Sequence, residues 1–552
     1  MFRIRTCLII LLMTFVVSMT VHDVWAQSDS DDKSPPVAEI TAIEESELQK
    51  EEVSHIQIQS LAIVDYSKKG LEFVVGKMAA VLFYEVKYCG SISEEDCQKK
   101  KGFPILVLWL VAGGLFFTMR LGFVNLTMFG HAIDVVRGKY SSKKDPGEVT
   151  HFQALTAAVS ATVGLGNIAG VAVAVTVGGP GAVIWMMIAG FFGMSAKFAE
   201  VTLGLKYRKI DKNGKVSGGA FHYLTEGLAE KNLPVLGKVL AVIFALFCIG
   251  GSLGGGNLFQ SSQTVAIMTQ TFGAFSDMDW AISVVLAVSV GVVLIGGIKR
   301  IAKVAEKIVP FMALIYIAAS LVVIFANAEN IGPAISFMFE DAFTGVAVGG
   351  GILGAIINGF KRAAFSNEAG LGSAPIAHSA AKTKEPVREG VVALLEPFLD
   401  TIVICFITGL VITITGVYQQ GTDGLEGGNP GVLLTSAAFA TVIEWFPNVL
   451  AIAVAMFAFS TMITWSYYGE RAWEYLFGHK YISVFHIIFC FFVFLGGVVN
   501  DLDLVITFSD LLLLSMAIPN VIGLYIMSGT IRAELDKYVK KLKDGKFKVN
   551  ED

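Results

Sequence analysis

Long apolar stretches separated by short polar loops repeat along the chain from about residue 103 onward. An α-helix needs about 20 mostly apolar residues to cross a bilayer. Eleven stretches have this length, so the pattern predicts an all-α polytopic membrane protein. The stretches begin near Phe103, Phe152, Ala182, Val239, Trp280, Ile308, Phe343, Val391, Val449, Ile482 and Leu504.

The first 102 residues follow a different pattern. Residues 1–26 have a basic start and a short apolar core, which is typical of a secretory signal peptide. Residues 27–102 begin as an acidic tail that can bury little, and an amphipathic segment from Leu71 to Tyr88 is expected to lie on the membrane surface. Cys89 and Cys97 would then be exported, and both a disulfide and two free thiols stay open.

Basic residues indicate the orientation in the membrane. Lys and Arg concentrate in the loops that follow the odd-numbered stretches and in the C-terminal tail, and such loops normally stay in the cytoplasm. We therefore expect the N-terminus outside, the C-terminus in the cytoplasm, and a plasma (inner) membrane location. The predicted parts are a signal peptide at 1–26, an exported segment at 27–102, a membrane domain at 103–530 and a basic tail at 531–552.

Composition excludes several classes of protein. Hydrophobic residues make up 54% of the 552 residues and charged residues 16%, whereas soluble domains carry about 25% charge. A soluble multidomain enzyme is therefore excluded. The net charge of -5 gives no indication of a nucleic-acid partner. No zinc-protease HExxH run occurs, and we predict neither an enzymatic activity nor a cofactor.

Two of the apolar stretches are rich in glycine where a helix should be continuous. The second contains Gly164–Gly170 and the seventh contains Gly345–Gly351. A helix-interior glycine costs about 1 kcal/mol relative to alanine, and freed backbone groups are tolerated in lipid only around an enclosed cavity. The two stretches are the first members of two successive blocks of five spans. Because five is odd, the two blocks cross the membrane in opposite directions, as in an inverted repeat. Glycine-interrupted helices at matching positions of the two blocks point to a transporter's central site. Close packing through small residues is the alternative.

Broken helices have a chemistry of their own. The N-terminus of a half-helix attracts a carboxylate, and unwound carbonyls attract a cation or an ammonium group. An amino acid zwitterion together with a sodium ion fits this combination. Neither glycine-rich stretch contains an acidic side chain, so we expect neutral oxygens to hold the ion there.

The segment Phe365–His378, which reads FSNEAGLGSAPIAH, resembles the signature of the alanine/glycine:cation symporter family, the sodium:alanine symporters. The resemblance extends from about Phe103 to Met527. It implies a leucine-transporter-type fold of two inverted five-helix repeats plus one extra N-terminal helix, and sodium-coupled uptake of a small neutral amino acid. Further family-like blocks are Phe152–Leu155, Gly193–Glu200, Gly256–Gln260, Glu396–Thr401, Phe459–Thr461 and Trp465–Arg471.

The resemblance also implies roles for the first broken helix. Val163–Asn167 is similar to the break in sodium-coupled neurotransmitter-type transporters. By that likeness, the backbone carbonyls of Ser160 and Val163 hold sodium, and the hydroxyls of Ser460 and Thr461 complete the site. The alternative is that these two hydroxyls bond back to their own helix. The residues expected to face the substrate are Thr162, Gly164, Gly166 and Asn167. The alternative for the Asn167 amide is that it satisfies freed backbone groups.

Other candidates lie on neighbouring helices. Asn257 and Gln260 share one helix face, so they contact either substrate or another helix. Trp465 is interpreted as a bulky wall that limits side-chain size, or as ordinary core. The matching candidates on the seventh stretch are Phe343, Thr344, Gly349 and Gly350.

Asp400 is an intramembrane carboxylate, with Glu396 one turn earlier. Such groups are costly and usually functional. Asp400 either anchors a cation or the substrate ammonium, or pairs with Lys197. We expect the family signature itself at the cytoplasmic mouth, where Glu368 would be a gate or turn element and His378 a loop histidine.

These features predict a secondary symporter that couples sodium influx to uptake of alanine or glycine by alternating access. A proton-coupled amino acid symporter is the alternative, because Asp400 and Glu396 could carry protons. A passive channel is disfavoured, since the stretches show no continuous polar stripe. The choice of amino acid and enantiomer and the oligomeric state stay open; the expected partners are the amino acid, sodium and the lipid bilayer.

Overall fold

The computed structural model describes residues 65, 67–79, 82, 84–86, 102–142, 144–276, 278–294, 297–344, 351–420, 431–499 and 501–547. The predicted signal peptide, Cys89, Cys97, Gly349 and Gly350 lie outside these residues. Residues 67–79 are helical and overlap the predicted amphipathic segment Leu71–Tyr88. Up to Met78 they belong to a separate compact unit. The account below concerns the larger unit.

Helices make up most of the described chain. They are α1 Ile105–Arg120, α2 Val124–Thr127, α3 Phe129–Val136, α4 His151–Thr162, α5 Val171–Gly178, α6 Gly181–Lys206, α7 Ala220–Glu230, α8 Pro234–Leu253, α9 Phe259–Thr271, α10 Asp279–Leu294, α11 Gly297–Ala326, α12 Ile331–Thr344, α13 Gly351–Asn367, α14 Ala374–His378, α15 Pro386–Ala393, α16 Leu395–Pro397, α17 Phe406–Thr415, α18 Val432–Ala440, α19 Phe446–Phe477, α20 Ile482–Val498, α21 Leu502–Ser515, α22 Ala517–Ile526 and α23 Ser528–Lys543.

Short strands, π-helical segments and four 3-10 helices accompany the α-helices in the described residues. Strand β1 pairs antiparallel with β2, with Glu85 opposite Pro104, and β3 pairs antiparallel with β4, with Lys209 opposite Ser217. The strands are β1 Glu85–Val86, β2 Phe103–Pro104, β3 Lys209–Ile210 and β4 Val216–Ser217. The π-helical segments are Gly166–Gly170, Gly254–Leu258 and Phe398–Cys405.

Seven helical stretches within the described residues are long and apolar enough to cross a membrane, and the bent pair α4–α5 raises the number to eight. Helices α1 and α10, at two further predicted spans, are apolar but only 16 residues long. The seventh predicted span corresponds to α12 and α13. The protein is therefore a multi-pass helical membrane protein, and the count of eleven spans stays a prediction.

Helix α4 has a well-defined beginning and an early end. The Thr150 hydroxyl accepts a hydrogen bond from the Gln153 backbone N–H, and the Gln153 side chain accepts one from the Thr150 N–H, both at 3.1 Å. This reciprocal capping box fixes the first turn. After Thr162 the backbone leaves the helical region at Val163, with ψ of 88°, and the chain bends by 50° into the helix that follows. The bend lies at the first predicted break.

The predicted second break at Gly345–Gly351 stays a prediction, because residues 345–350 lie outside the described residues. A different break, which the sequence did not predict, is called the second break below. The structure interrupts the helix after Asn367, where Glu368, Gly370 and Gly372 have positive φ, and helix begins again at α14. Glycine adopts this backbone region without a steric penalty. The family signature therefore forms a buried break in the helix, and its position at the cytoplasmic mouth stays a prediction.

Two further candidate residues lie away from this break. Phe343 and Thr344 end α12 with exposed side chains, Phe343 to 52%. The Thr344 hydroxyl donates to the Glu340 carbonyl of its own helix. Neither residue is adjacent in sequence to the second break, and a substrate contact by either stays a prediction.

Helix α6 is the scaffold for both breaks. It packs against α13, α14 and α15, and glycines along it allow close approach, as small residues do in membrane helices. A methyl group added at Gly193 would lie 2.8 Å from the Cβ of Ala369, within the second break. One added at Gly190 would lie 3.0 Å from the Cβ of Thr401.

We expect Gly193→Ala to lower the thermal unfolding temperature, because overpacking a tight contact typically costs about 1–3 kcal/mol. Intrinsic fluorescence of purified protein in detergent measures the effect. The matched control is Gly332→Ala in α12, where an added methyl meets no atom within 4 Å. Equal unfolding temperatures for both variants and the unmutated protein would contradict this packing.

Candidate functional site

A small buried cavity lies where the two helix breaks meet. Its volume is about 10 Å³, room for roughly one water molecule. Five of the predicted residues line it: Thr162, Gly166, Gln260, Thr461 and Trp465. The remaining lining residues are Ala161, Gly255, Phe365, Glu368 and Leu513.

Two side-chain amides satisfy the backbone of the first break. The Asn167 Oδ1 accepts a hydrogen bond from the Gly164 N–H at 2.9 Å, and the Gln260 Oε1 accepts one from the Leu165 N–H at 3.3 Å. The Gln260 Nε2 donates to the Gly255 carbonyl at 2.9 Å. Buried backbone donors need such partners, so both amides stabilise the unwound segment, whichever substrate contacts they make.

Asn257 does not line the cavity, although it shares a turn with Gln260. Its Nδ2 donates to the carbonyl of Phe489 on α20 at 2.7 Å. This bond corresponds to the helix–helix contact that the sequence left open.

Asp400, in the π-helical segment Phe398–Cys405, ties the two breaks together. Its Oδ1 accepts a hydrogen bond from the Asn167 Nδ2 at 2.6 Å, and its Oδ2 accepts from the Ser366 Oγ at 2.8 Å and the Thr401 Oγ1 at 2.7 Å. Asn167 belongs to the first break, and Ser366 immediately precedes the second. The expected alternative, pairing with Lys197, does not occur, because Lys197 bonds Glu396 at 3.1 Å.

Neutral oxygens meet where α4 crosses α19. The Thr461 hydroxyl donates to the Ser160 carbonyl at 3.1 Å, and the Thr464 hydroxyl donates to the Ser160 hydroxyl at 3.1 Å. The Ser460 hydroxyl donates to the Phe457 carbonyl of its own helix, which is the alternative considered for it. Val163 ends α4 immediately after this contact.

Thr464 is not among the site residues predicted from the sequence. It follows Thr461 by three positions and Ser460 by four, so it lies on the same helix face. That spacing is the signal that identifies it.

Glu368 is a second residue at the cavity that the sequence did not predict there, because it was expected to be a gate or turn element. It lines the cavity, and its Oε1 accepts a hydrogen bond from the Trp465 Nε1 at 2.9 Å while its Oε2 accepts from the Ser373 hydroxyl. The Trp465 indole is therefore held across the second break. An acidic side chain in an apolar, glycine-rich segment was the available signal.

Comparison with known proteins identifies the family of this chain. The family model described as "sodium:alanine symporter family" matches residues 95–552. The chain belongs to this family. It is therefore a multi-pass membrane transport protein of a symporter family, not a member of an enzyme family.

Two relatives, AgcS and GlnT, support the same assignment. The sodium/alanine symporter AgcS of Methanococcus maripaludis is 43% identical over 78% of this chain and 93% of its own length. The probable sodium/glutamine symporter GlnT of Bacillus subtilis is 33% identical over 81% of this chain and 90% of its own length. Among solved structures, MhsT in complex with L-phenylalanine matches with a TM-score of 0.49 and 16% identity over 70% of this chain and 98% of its own.

We expect Asp400→Asn to destabilise this family member by about 1–3 kcal/mol, since the acceptor loses its charge and at least one of its three side-chain donors loses its acceptor altogether. The unfolding temperature in detergent measures the loss. Asp503→Asn, an exposed substitution of the same kind on α21, is the matched control. Unchanged stability of Asp400→Asn would show that the hydrogen bonds of Asp400 are not what holds the breaks together.

Proposed function

We propose that this protein couples sodium influx to the uptake of alanine or glycine by alternating access. The fold proposed for it is the leucine-transporter type, two inverted five-helix repeats preceded by one extra helix, with the C-terminus in the cytoplasm. The observation that carries the proposal is the meeting of both helix breaks at a cavity beside the oxygens of Ser160, Thr461 and Thr464.

The proposed sodium site lies between α4 and α19. Its ligands are the carbonyls of Ser160 and Val163 with the hydroxyls of Thr461, Ser460 and Thr464. A hydroxyl that donates to a carbonyl has lone pairs left for a cation, and it can rotate to offer them. Unwound carbonyls and small hydroxyls form the neutral oxygen ligands expected of such sites. The hydrogen bonds among these groups already bring them together without the ion.

Asp400 is assigned a supporting role in this proposal. Its two oxygens are engaged by three side-chain donors, so it positions the breaks rather than binding the ion directly. This assignment replaces the cation role predicted for it.

The substrate is proposed to lie in the cavity between the breaks. Backbone N–H groups at the start of the Gly166–Gly170 segment face its carboxylate, as at other half-helix ends. The Glu368 carboxylate and freed carbonyls face its ammonium group. Trp465, Phe365 and Leu513 line the cavity, and their bulk favours the small side chains of alanine and glycine. The cavity of about 10 Å³ must widen to admit either amino acid. The name of GlnT makes glutamine the substrate to compare.

The direct test is uptake of labelled L-alanine into proteoliposomes, with an inward sodium or an inward proton gradient imposed separately. We expect accumulation with the sodium gradient and competition by unlabelled glycine but not glutamine. Accumulation driven only by protons would overturn the sodium assignment. Transport of glutamine in preference to alanine would overturn the substrate assignment.

Thr461→Ala is expected to raise the sodium concentration for half-maximal uptake about tenfold, equivalent to about 1.4 kcal/mol, because the ion loses one ligand. Alanine affinity at saturating sodium should change less. The control is Thr415→Ala, whose hydroxyl bonds only the carbonyls of its own helix in the described structure. An equal effect of both variants would argue against a sodium ligand at Thr461.

Trp465→Leu is expected to broaden the substrate range. Leu is smaller than Trp, so the substitution enlarges the pocket. One added or missing methylene in an apolar pocket changes discrimination between substrates by about 10–200-fold, so uptake of methionine or leucine should rise relative to alanine. Competition against labelled alanine measures this ratio. Trp445→Leu serves as the control, because Trp445 is 64% exposed. A ratio that stays at the unmutated value would exclude Trp465 as the wall that sets substrate size.

A further inference from the structure

A continuous row of buried titratable side chains lies beside the cavity, and the proposed sodium and substrate sites do not use it. The His151 Nδ1 contacts the Glu389 Oε2, and the His378 Nδ1 lies 2.6 Å from the Glu389 Oε1. The His378 Nε2 lies 2.5 Å from the Glu396 Oε1, and the Lys197 Nζ lies 3.1 Å from the Glu396 Oε2. We call these five residues the charge chain.

His378 is thus a buried member of the charge chain at the end of α14 rather than the loop histidine expected from the sequence. All five side chains are almost completely buried, with exposures of 0–3%.

Counting protons in the charge chain shows that neutral histidines are not sufficient. A carboxylate only accepts hydrogen bonds, so each of the three contacts between imidazole and carboxylate needs its own proton. A neutral imidazole supplies one proton, and His151 and His378 therefore supply two. The third contact requires one additional proton, which places it on His378 or on a carboxylate next to it.

Charge balance also requires one additional proton. Lys197 is cationic, whereas Glu389 and Glu396 are anionic, so the charge chain without the extra proton has a net charge of about -1 in a buried environment. An uncompensated buried charge is strongly destabilising. With the extra proton the chain is neutral, and every hydrogen bond between its members has a donor.

Charged and titratable groups on the surrounding helices complete the environment. Glu200 lies one turn after Lys197 on α6, and its Oε1 accepts from the Gly372 N–H at 3.1 Å and the Asn520 Nδ2 at 2.7 Å. The Glu200 carboxylate is therefore bonded to the second break and not to His378. The other such groups around the charge chain are Arg208 at the end of α6, Glu368 in the second break and Tyr468 on α19.

The charge chain connects parts of the protein that alternating access would have to separate. His151 begins α4, the half-helix that leads into the first break, and His378 ends α14, the half-helix that leaves the second. Glu389, Glu396 and Lys197 belong to α15, α16 and the scaffold helix α6. Movement of α4 or α14 away from the scaffold must therefore break contacts of the charge chain.

We propose that the charge chain is a proton-binding latch: one proton shared by His378 and its two carboxylates is bound while α4 and α14 are docked and is released when they separate. The proposal rests on the proposed transport function only in assigning this separation to the transport cycle. The predicted orientation places the latch on the cytoplasmic side.

The latch predicts the behaviour of one conservative variant. In Glu389→Gln, the amide oxygen accepts from the His151 Nδ1–H and the amide N–H₂ donates to an unprotonated His378 Nδ1. The His378 Nε2–H still donates to Glu396. All contacts are then satisfied without the extra proton, and Lys197 balances Glu396. Docking in this variant should therefore not depend on pH.

Hydrogen–deuterium exchange of the purified full-length protein tests docking directly, without relying on transport. We expect peptides from α4 and α14 to lose protection as pH rises across about 5.5 to 9, by up to about tenfold per pH unit for one linked proton. Peptides from α12 in the same sample correct for the intrinsic pH dependence of exchange. Glu389→Gln should show protection that is independent of pH.

A control variant and the unmutated protein itself decide the remaining outcomes. Glu340→Gln, an exposed substitution on α12, should retain the pH dependence of the unmutated protein. If Glu389→Gln fails to fold, pH-independent protection of α4 and α14 in the unmutated protein overturns the latch by itself. The same pH dependence in Glu389→Gln and the unmutated protein would also overturn it.

Sodium-driven alanine uptake, with equal pH on both sides, then tests the link to transport. The unmutated protein should slow as pH falls, because the latch stays docked, and Glu389→Gln should lose this dependence. Uptake that fails in both proteins at every pH would contradict the proposed function, whereas the exchange experiment would still decide whether the latch exists.

Discussion

The hydrogen bonds of one buried carboxylate, Asp400, determine how the two broken helices meet. A helix interrupted inside a membrane leaves backbone groups and short helix ends that lipid cannot satisfy. Asp400 accepts from Asn167 on one side and from Ser366 on the other, and Asn167 in turn accepts from the freed Gly164 N–H. The irregular backbone is therefore stable because side chains replace the missing helical partners, and the cavity lies where that replacement occurs.

Polar chemistry in this protein is divided between two neighbouring regions. Near the cavity, the groups between α4 and α19 are hydroxyls and carbonyls that carry no formal charge. On the other side of the second break, Lys197, Glu396 and His378 form part of a fully buried row of charges. The charges in the second region compensate one another, which leaves the neutral oxygens between α4 and α19 to respond to an added cation.

Glycine content identified the first break correctly, but it did not point to the second. The second break spans Glu368–Ser373, where Gly370 and Gly372 have positive φ, whereas the run Gly345–Gly351 is denser in glycine. A glycine both weakens a helix and allows close packing. Its presence alone therefore does not distinguish a break from a contact, and the neighbouring polar residues were the more informative signal.

The sequence by itself determined the class of protein, most of the helices, the first break and the family, because length, hydrophobicity and local motifs are encoded by adjacent residues. It also singled out Thr162, Gly166, Gln260, Thr461 and Trp465 as candidates, and all five line the cavity. Only the tertiary structure decided which polar groups meet. The partners of Asp400 lie 233 and 34 positions away along the chain, and a hydrogen bond across such a distance depends on how the helices pack rather than on any local pattern.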